Sequence, residues 1–527
     1  MKIKKISIQK DSKSVPKVST PTKSKQASAV SLPEEFKSVL PSKEALDQMN
    51  EELIAELDAF VFDIEKGITK VAAVSPQNDI LKTYCQQRFK NFEIYQAEPD
   101  DVRFVLGKLQ SGAKKEIERL AQATKSGDST RTTELVDKII SYAISEKASD
   151  VHVEPLRNET AVRFRIDGML HHILSLPKEI HNAVIARFKI LSNLKIDEYR
   201  RPQDGRLEPR DMPETSLRVS TMPTLYGEKI ALRVLDDSSK DLSLDRLGFT
   251  EEQKKIIYRN MEKPFGMIVT SGPTGSGKTT TLYGLLSMLK TTDLNISTLE
   301  DPIEFALPNV NQIQVNPRVD LSFASGLKAL LRQDPDIIMV GEIRDTDTVV
   351  MAANSAMTGH LVLTTMHTND APSAFTRFLE MKVEDFVVAS IVNLVIAQRL
   401  VRKICTSCGK KQKLDPTLIE KIKARKDVVA ALQKIGKPFD KIKDETFVIG
   451  EGCDACLQTG YIGRIGIFEL LELNKDIHDL VLKHAPADQI KEAAEKDGFE
   501  DMIIDGIRKV FDGQTTFEEI LRTTRNA

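Results

Sequence analysis

The stretch Gly272-Pro273-Thr274-Gly275-Ser276-Gly277-Lys278-Thr279 fits the pattern G-x4-GK[ST] at every position. Such a loop holds phosphate. Its glycines let the backbone curl until several N–H groups face one point, and a helix opening at its end adds positive potential there. Lys278 then reaches the β- and γ-phosphates of a nucleoside triphosphate, and the Thr279 hydroxyl serves a Mg²⁺ ion. With Thr280, these residues are the expected ATP contacts. The motif carries weight only where a strand runs into it and a helix leaves it. Gly266-Met-Ile-Val-Thr-Ser271 is a short apolar run and Thr279 to Lys290 has helical spacing, so that context is met.

Carboxylates come next. Ile337-Ile-Met-Val-Gly-Glu342 reads as a buried strand that delivers an acid at its C-terminal end, the end where open α/β sheets bind ligands. Glu342 is the candidate for orienting or activating the attacking water. An ordinary Walker B strand would carry Asp in place of Gly341, so this is a variant form. A second acidic group, Glu300-Asp-Pro-Ile-Glu304, follows its own strand and is expected at the same edge, which makes Glu300 the second catalytic candidate. Asp345 and Asp347 read as residues solvating a helix start. His360 and His367 bracket the strand Leu361–Thr365. Their spacing is not HExxH, so zinc is not expected there. Each is a candidate for sensing the γ-phosphate or touching a neighbouring subunit, and equally for a structural part.

Four of the five cysteines form two pairs, Cys405-Thr-Ser-Cys408 and Cys453-Asp-Ala-Cys456, with 44 residues between the pairs. Two CxxC pairs in a long chain without a signal peptide suit tetrahedral Zn²⁺ better than disulfides. Four thiolates leave no open position, so the metal is expected to be structural. Cys85 stands alone and reads as a small core residue.

These groups need elements to position them. Between 247 and 400, short apolar runs alternate with helical patterns, the mark of a parallel sheet covered on both faces. Upstream, Leu135 to Ser145 is an amphipathic helix, Ala161 to Ile166 alternates and ends in the hairpin signal Asp167-Gly168, Pro177 to Leu194 is helical, and Arg218–Ser220 and Glu228–Leu235 are strands. That region is α+β. Residues 31–125 read as a small α/β module, with a strand at Ile68–Val74, a helix at Asn78–Phe89 and a linker helix over Ala113–Thr130. Residues 1–30, rich in Lys, Ser, Thr and Pro, are expected to form a disordered basic tail.

Bulk composition sets limits. The 527 residues imply several domains, and 41% apolar with 29% charged residues is ordinary globular composition. A net charge of −2 and the absence of Trp count against a nucleic-acid surface. No apolar run reaches the roughly 20 residues of a membrane span, and none resembles a secretion signal. A cytoplasmic protein that meets membranes through partners is expected.

Four motifs occur in order: the phosphate loop, Glu300-Asp-Pro-Ile-Glu304, Val340-Gly-Glu-Ile-Arg-Asp345 and Thr358-Gly-His-Leu-Val-Leu-Thr-Thr-Met-His-Thr-Asn-Asp370. Ala148-Ser-Asp-Val-His-Val-Glu-Pro155 and Arg218-Val-Ser-Thr-Met-Pro-Thr224 precede them, and Gly460 to Leu471 follows the cysteines. The set resembles the secretion ATPase superfamily of type IV pilus, type II secretion and competence systems. The likeness covers residues 130–515, is weak over 31–125 and is absent over 1–30. It implies a RecA-like motor at 245–400 after a second N-terminal α+β domain at 131–237, then a four-cysteine zinc region at 401–470 and a helical region at 471–527. It also implies a homohexamer with ATP bound between domains and subunits. Arg218 and Arg233 would reach the γ-phosphate, and Arg332 and Arg344 would lie near the same site. The residues alone agree that an added arginine can neutralise charge in phosphoryl transfer, though each could equally be a solvated strand position.

The implied partner is an inner-membrane platform protein, and the implied work is pilus assembly, with type II secretion as the alternative. Retraction ATPases of the superfamily usually lack the cysteine pairs and the first module, which favours extension or secretion here. Two further readings are a nucleic-acid-translocating ATPase and a ring that binds ATP without hydrolysing it. Near-neutral charge argues against the first, and the presence of both Lys278 and Glu342 against the second.

Overall fold

The computed structural model describes residues 32–33, 41, 43–46, 48–49, 53–54, 57–124, 129–209, 212, 215–236, 242–291 and 293–525. The tail expected over 1–30 lies outside them. The chain divides into two compact units, Met1–Leu106 and Gly107–Ala527. The helix Pro99–Thr124 runs across that division, so the expected linker helix is the end of a longer one.

In the first unit, strands β1 (Ala59–Glu65) and β2 (Ile68–Ala73) form an antiparallel hairpin, and β3 (Phe92–Gln96) lies parallel to β2. The helix Asp79–Arg88 makes the crossover. Asn78 caps it, accepting from the N–H groups of Ile80 and Leu81. Cys85 is fully buried on this helix, and burial pushes its thiol up to about 11, which leaves it an inert core residue.

The second unit contains a six-stranded antiparallel sheet in the order β6-β5-β4-β9-β8-β7. The strands are β4 (Asp150–Pro155), β5 (Glu159–Ile166), β6 (Met169–Pro177), β7 (Gln203–Leu207), β8 (Thr215–Thr224) and β9 (Gly227–Asp236). Period-two alternation divides its faces. Leu217, Val219, Ile230 and Leu232 point into a core with Ile139, Ile140, Val184 and Phe188 from the helices Ser129–Ser145 and His181–Leu191. Arg218 and Ser220 point the other way and are exposed.

The larger sheet has seven strands in the order β12-β11-β13-β14-β10-β15-β18. These are β10 (Gly266–Ser271), β11 (Ile296–Glu300), β12 (Asn311–Gln314), β13 (Ile337–Val340), β14 (Leu361–Met366), β15 (Val392–Ile404) and β18 (Tyr461–Glu472). All neighbours are parallel except β15 and β18. Every residue of β10, β11, β13 and β14 is buried, because apolar clusters cover both faces. The strand runs read in the sequence match these four strands.

The expected borders at 400 and 470 need correction, since each falls inside a strand. β15 runs on to Ile404, and β18 returns beside it. The cysteine segment is therefore an excursion between two paired strands of the seven-stranded sheet. It holds the small sheet β16 (Gly409–Lys413) with β17 (Thr446–Gly450) and the helices Pro416–Ala424 and Lys426–Lys434. The C-terminal helices close over the same strands. Buried Glu519 receives Arg402 from β15 and Arg522 from its own helix, and these bonds outweigh burial and hold its carboxyl down to about 2. Among the described residues, no helix is long and apolar enough to cross a membrane.

Candidate active site

The phosphate loop leaves β10 in the middle of the sheet, between β14 and β15, and opens the helix Lys278–Leu289. Gly272, Gly275 and Gly277 have φ values of +143°, +78° and +89°, conformations that side chains resist. Gln398 of β15 braces the loop from below, its Nε2 donating to the Ser276 carbonyl at 2.7 Å. Lys278 is buried, and its ammonium donates to the carbonyls of Gly272 at 2.8 Å and Pro273 at 3.1 Å. Burial lowers its pKa to about 8, against the pull of Glu342. A cation so far desolvated, beside the orphaned hydroxyl of Ser276, fits a phosphate group. Pro273, Thr274 and Gly275 are exposed, while Thr279 and Thr280 are half-buried at the helix start. Thr279 is the residue that would hold Mg²⁺.

Glu342 follows β13 at the same edge of the sheet. Arg344 binds one of its oxygens at 2.6 Å, and His367 Nε2 lies 3.8 Å from the other. His367 follows β14, the neighbouring parallel strand, so strand polarity alone brings it to Glu342. Partial burial and the Lys278 charge keep its imidazole below the usual range, hence neutral near pH 7. A cleft of about 350 Å³ opens beside it, lined by Thr368, Asn369, Asp370, Ser373 and Arg377 among others.

The other expected residues make different contacts. Glu300 ends β11 on the phosphate side, but it is 3% exposed and its oxygens are taken up. Thr298 donates to it at 2.5 Å, Gln312 at 3.1 Å, and Tyr283 binds its other oxygen. In this arrangement Glu300 ties β11 and β12 to the helix that follows the phosphate loop. His360 precedes β14, bonded to Ser355 O at 2.9 Å. Six residues of extended chain, roughly 20 Å at 3.3 Å each, separate it from His367. Arg332 is exposed in the loop entering β13 and donates to Lys328 O at 2.9 Å. It too stands at the edge away from the phosphate loop of its own chain. Of the four residues grouped as sensors or subunit contacts, the structure brings His367 and Arg344 to Glu342.

Arg218 and Arg233 are direct cross-strand partners on β8 and β9. The same row continues to Arg206 on β7, and on the other side to Asp150 on β4 and Arg165 on β5. Four arginines and one aspartate thus stand side by side on the open face of the six-stranded sheet. Asp150 holds Arg233 at 3.1 Å and Arg165 at 3.5 Å. Like charges directly opposed, as in Arg218 facing Arg206 and Arg233, destabilise a sheet. Neither Arg218 nor Arg233 bonds to the phosphate loop of its own chain among the described residues. The two domains instead meet where Asp167, at the β5–β6 turn, accepts the Gly463 N–H at 2.7 Å beside Arg464. Sequence reasoning missed Arg206 and Gln398. The register reveals the first, and no local pattern signals the second.

The four cysteine sulfurs all lie within 4.8 Å of one another. Cys405–Cys453 and Cys408–Cys456 are 3.9 Å apart and Cys453–Cys456 3.7 Å, too long for disulfides. A tetrahedron with Zn–S bonds of about 2.3 Å has edges of roughly 3.8 Å, so the thiols fit that metal. Backbone N–H groups of Gly452, Cys453 and Gly460 point at the sulfurs at 3.1–3.3 Å, as thiolates require.

The family described as type II/IV secretion system protein matches residues 125–522. Type IV pilus assembly ATPase PilB of Myxococcus xanthus is 41% identical over 413 residues, which is 78% of this chain and 71% of that protein. Type IV pilus assembly ATPase TfpB of Acinetobacter baylyi is 46% identical over 393 residues, 74% of this chain and 64% of the relative. Type II secretion system protein E of Xanthomonas campestris is 43% identical over 394 residues, 75% and 67% of the two chains. Among solved structures, the ATPase DotB of Legionella pneumophila superposes with a TM-score of 0.52 at 20% identity, over 73% of this chain and 93% of that one. The pilus retraction motor PilT with bound ADP gives 0.50 at 24% identity, over 73% and 96%. These two establish the fold alone, a RecA-like domain with its preceding α+β domain. By its match across residues 125–522 and its identity to these relatives, the chain belongs to the type II/IV secretion system protein family.

Proposed function

We propose that this chain hydrolyses ATP as a homohexameric motor that drives type IV pilus assembly from the cytoplasmic side of the inner membrane, through a platform protein. The observation that carries the reading is the meeting of Lys278, Glu342 and His367 at one sheet edge. Lys278 gives up its contacts to Gly272 O and Pro273 O for the phosphates. Glu342, half-buried beside a neutral imidazole, accepts a proton from the attacking water or orients it. Thr279 holds Mg²⁺, which neutralises phosphate charge when bound. The arginine row is the mobile part. Arg218 and Arg233 face solvent on the six-stranded sheet and act when that sheet closes over a γ-phosphate, in this chain or the next. Turnover thereby becomes tied to domain motion. The four cysteines hold a structural Zn²⁺ at the ends of β15 and β18.

A second reading, the ATPase of a type II secretion pseudopilus, is favoured by the 43% identity to a type II secretion protein. Deleting the gene separates the two. Loss of surface pili in electron micrographs, with exported proteins still reaching the medium, supports the pilus motor. Normal piliation with failed export overturns it in favour of secretion.

A further inference from the structure

β18 carries a carboxylate that the nucleotide chemistry described above does not use. Glu469 is 4% exposed, and its two oxygens go to two different segments. Oε1 accepts the Ala371 N–H at 2.6 Å, and Oε2 accepts the Met502 N–H at 3.2 Å. Ala371 opens the helix Pro372–Glu380, and Met502 is the first residue of the helix Met502–Phe511. Both donors are amides of a helix N-terminus, which lack partners within the helix and favour negative charge. No side chain donates to Glu469 among the described residues. Arg399 on β15 attracts it, while Asp370 and Asp501 face it with like charge.

Burying a carboxylate for cohesion alone is poor design, since apolar residues of similar volume do as well or better. The bond to Ala371 has a further consequence. Ala371 ends the loop 367–371 that hangs from β14. At the near end of this loop, His367 lies 3.8 Å from Glu342. Its Thr368 hydroxyl donates at 2.9 Å to Ser271, the last residue before the phosphate loop. One carboxylate thus fixes the far end of a loop whose near end touches both the water-activating acid and the strand feeding the phosphate cradle.

We propose that Glu469 is a positioning residue for ATP turnover, clamping the 367–371 loop to the helix Met502–Phe511 so that His367 stays over Glu342 and Thr368 stays on Ser271. The proposal rests on Glu342 as the hydrolytic acid. The clamp is strongest in the ionised form, because both neighbours are donors, and protonation turns one oxygen into a neutral hydroxyl that accepts more weakly from the amide it faces. Burial, with Asp370 and Asp501 alongside, pushes the carboxyl up to about 7. Acidification through neutrality therefore loosens the clamp.

The test is steady-state ATP turnover of the full chain at saturating ATP between pH 6 and 8.5, with nucleotide affinity measured in parallel. In the wild type, kcat falls as pH drops through 7. Glu469→Gln, which keeps one acceptor and turns an N–H₂ toward the other amide, keeps its ATP affinity within about twofold. It loses about tenfold in kcat at pH 8, the scale of one charge-assisted bond, and its kcat no longer falls toward pH 6. A purely structural role would lower the melting temperature and leave the pH profile unchanged. Wild-type kcat in Glu469→Gln, or a flat wild-type profile, overturns the proposal. Should the glutamine variant fail to fold, Thr368→Val cuts the loop from Ser271 without touching the buried carboxylate. Reduced kcat there supports the clamp and unchanged kcat refutes it. Wild-type turnover in Glu342→Gln is a separate failure, of the hydrolytic assignment alone.

Discussion

The three glycines of the phosphate loop should not be equally sensitive to a methyl group. Gly272 has φ +143°, and a Cβ built there lies 2.5 Å from the Gln398 carbonyl oxygen and 2.7 Å from Ser276 Oγ. Such backbone strain costs about 1–3 kcal/mol. Overpacking adds about 1–3 kcal/mol, because the Gln398 oxygen is main chain in a central strand and cannot move aside. Gly275 has φ +78° with nothing within 4 Å of the added carbon, which leaves about 1–2 kcal/mol of left-handed strain. Gly277, with Gln398 Nε2 at 3.2 Å, falls between. At about 1.4 kcal/mol per tenfold, Gly272→Ala should weaken ATP binding by about 10²-fold or more and Gly275→Ala by about tenfold. Equilibrium titration with a fluorescent ATP analogue, on variants with wild-type circular dichroism, measures both. Equal losses in the two variants, or wild-type affinity in Gly272→Ala, would refute the reasoning.

Elemental analysis should find one tightly bound zinc per chain. Cys405→Ser with Cys408→Ser should release it and unfold the segment around 405–456 while nucleotide binding persists, and a folded protein with four reactive thiols and no metal would exclude the centre. Arg218→Ala and Arg233→Ala in the full chain should nearly keep ATP binding and lose turnover by roughly 10³-fold, as arginine fingers do; unchanged turnover in both removes the closure step. Lys278 binds phosphate as the cation, and its pKa of about 8 in the free protein means that ATP affinity should fall as pH rises above 8. Calorimetry in buffers of different ionisation enthalpy should show proton uptake on binding at pH 9, and an affinity constant from pH 7 to 9.5 would contradict this.

The phosphate loop was legible because its chemistry is local: eight consecutive residues, a strand before and a helix after. The cysteine cluster was legible from residue type, but its 44-residue gap was explained only by β15 and β18 lying side by side. Neither strand stands out in the sequence as a single apolar or alternating run. The apolar run Phe386 to Ala397 merges the helix Asp385–Ile391 with the start of β15, and β18 is interrupted by Gly463 and Gly466. His360 and His367 look alike in the sequence, and strand polarity sends them to opposite edges. The hydrogen bonds that occupy Glu300 come partly from Tyr283 and Gln312, residues more than ten positions away, so no local pattern announces them. The same is true of the arginine row, which exists only in the register of antiparallel strands, and of Glu469, whose partners lie 98 and 33 residues away.

The central claim is that Glu342 turns a bound ATP into a hydrolysed one. Its most direct test is turnover of the full chain carrying Glu342→Gln, with ATP binding measured on the same preparation. The account predicts binding within about threefold of wild type and turnover lower by about 10²-fold or more, since the amide cannot accept the proton of the attacking water. Turnover at the wild-type rate would contradict it and pass the role to another acid at the phosphate edge.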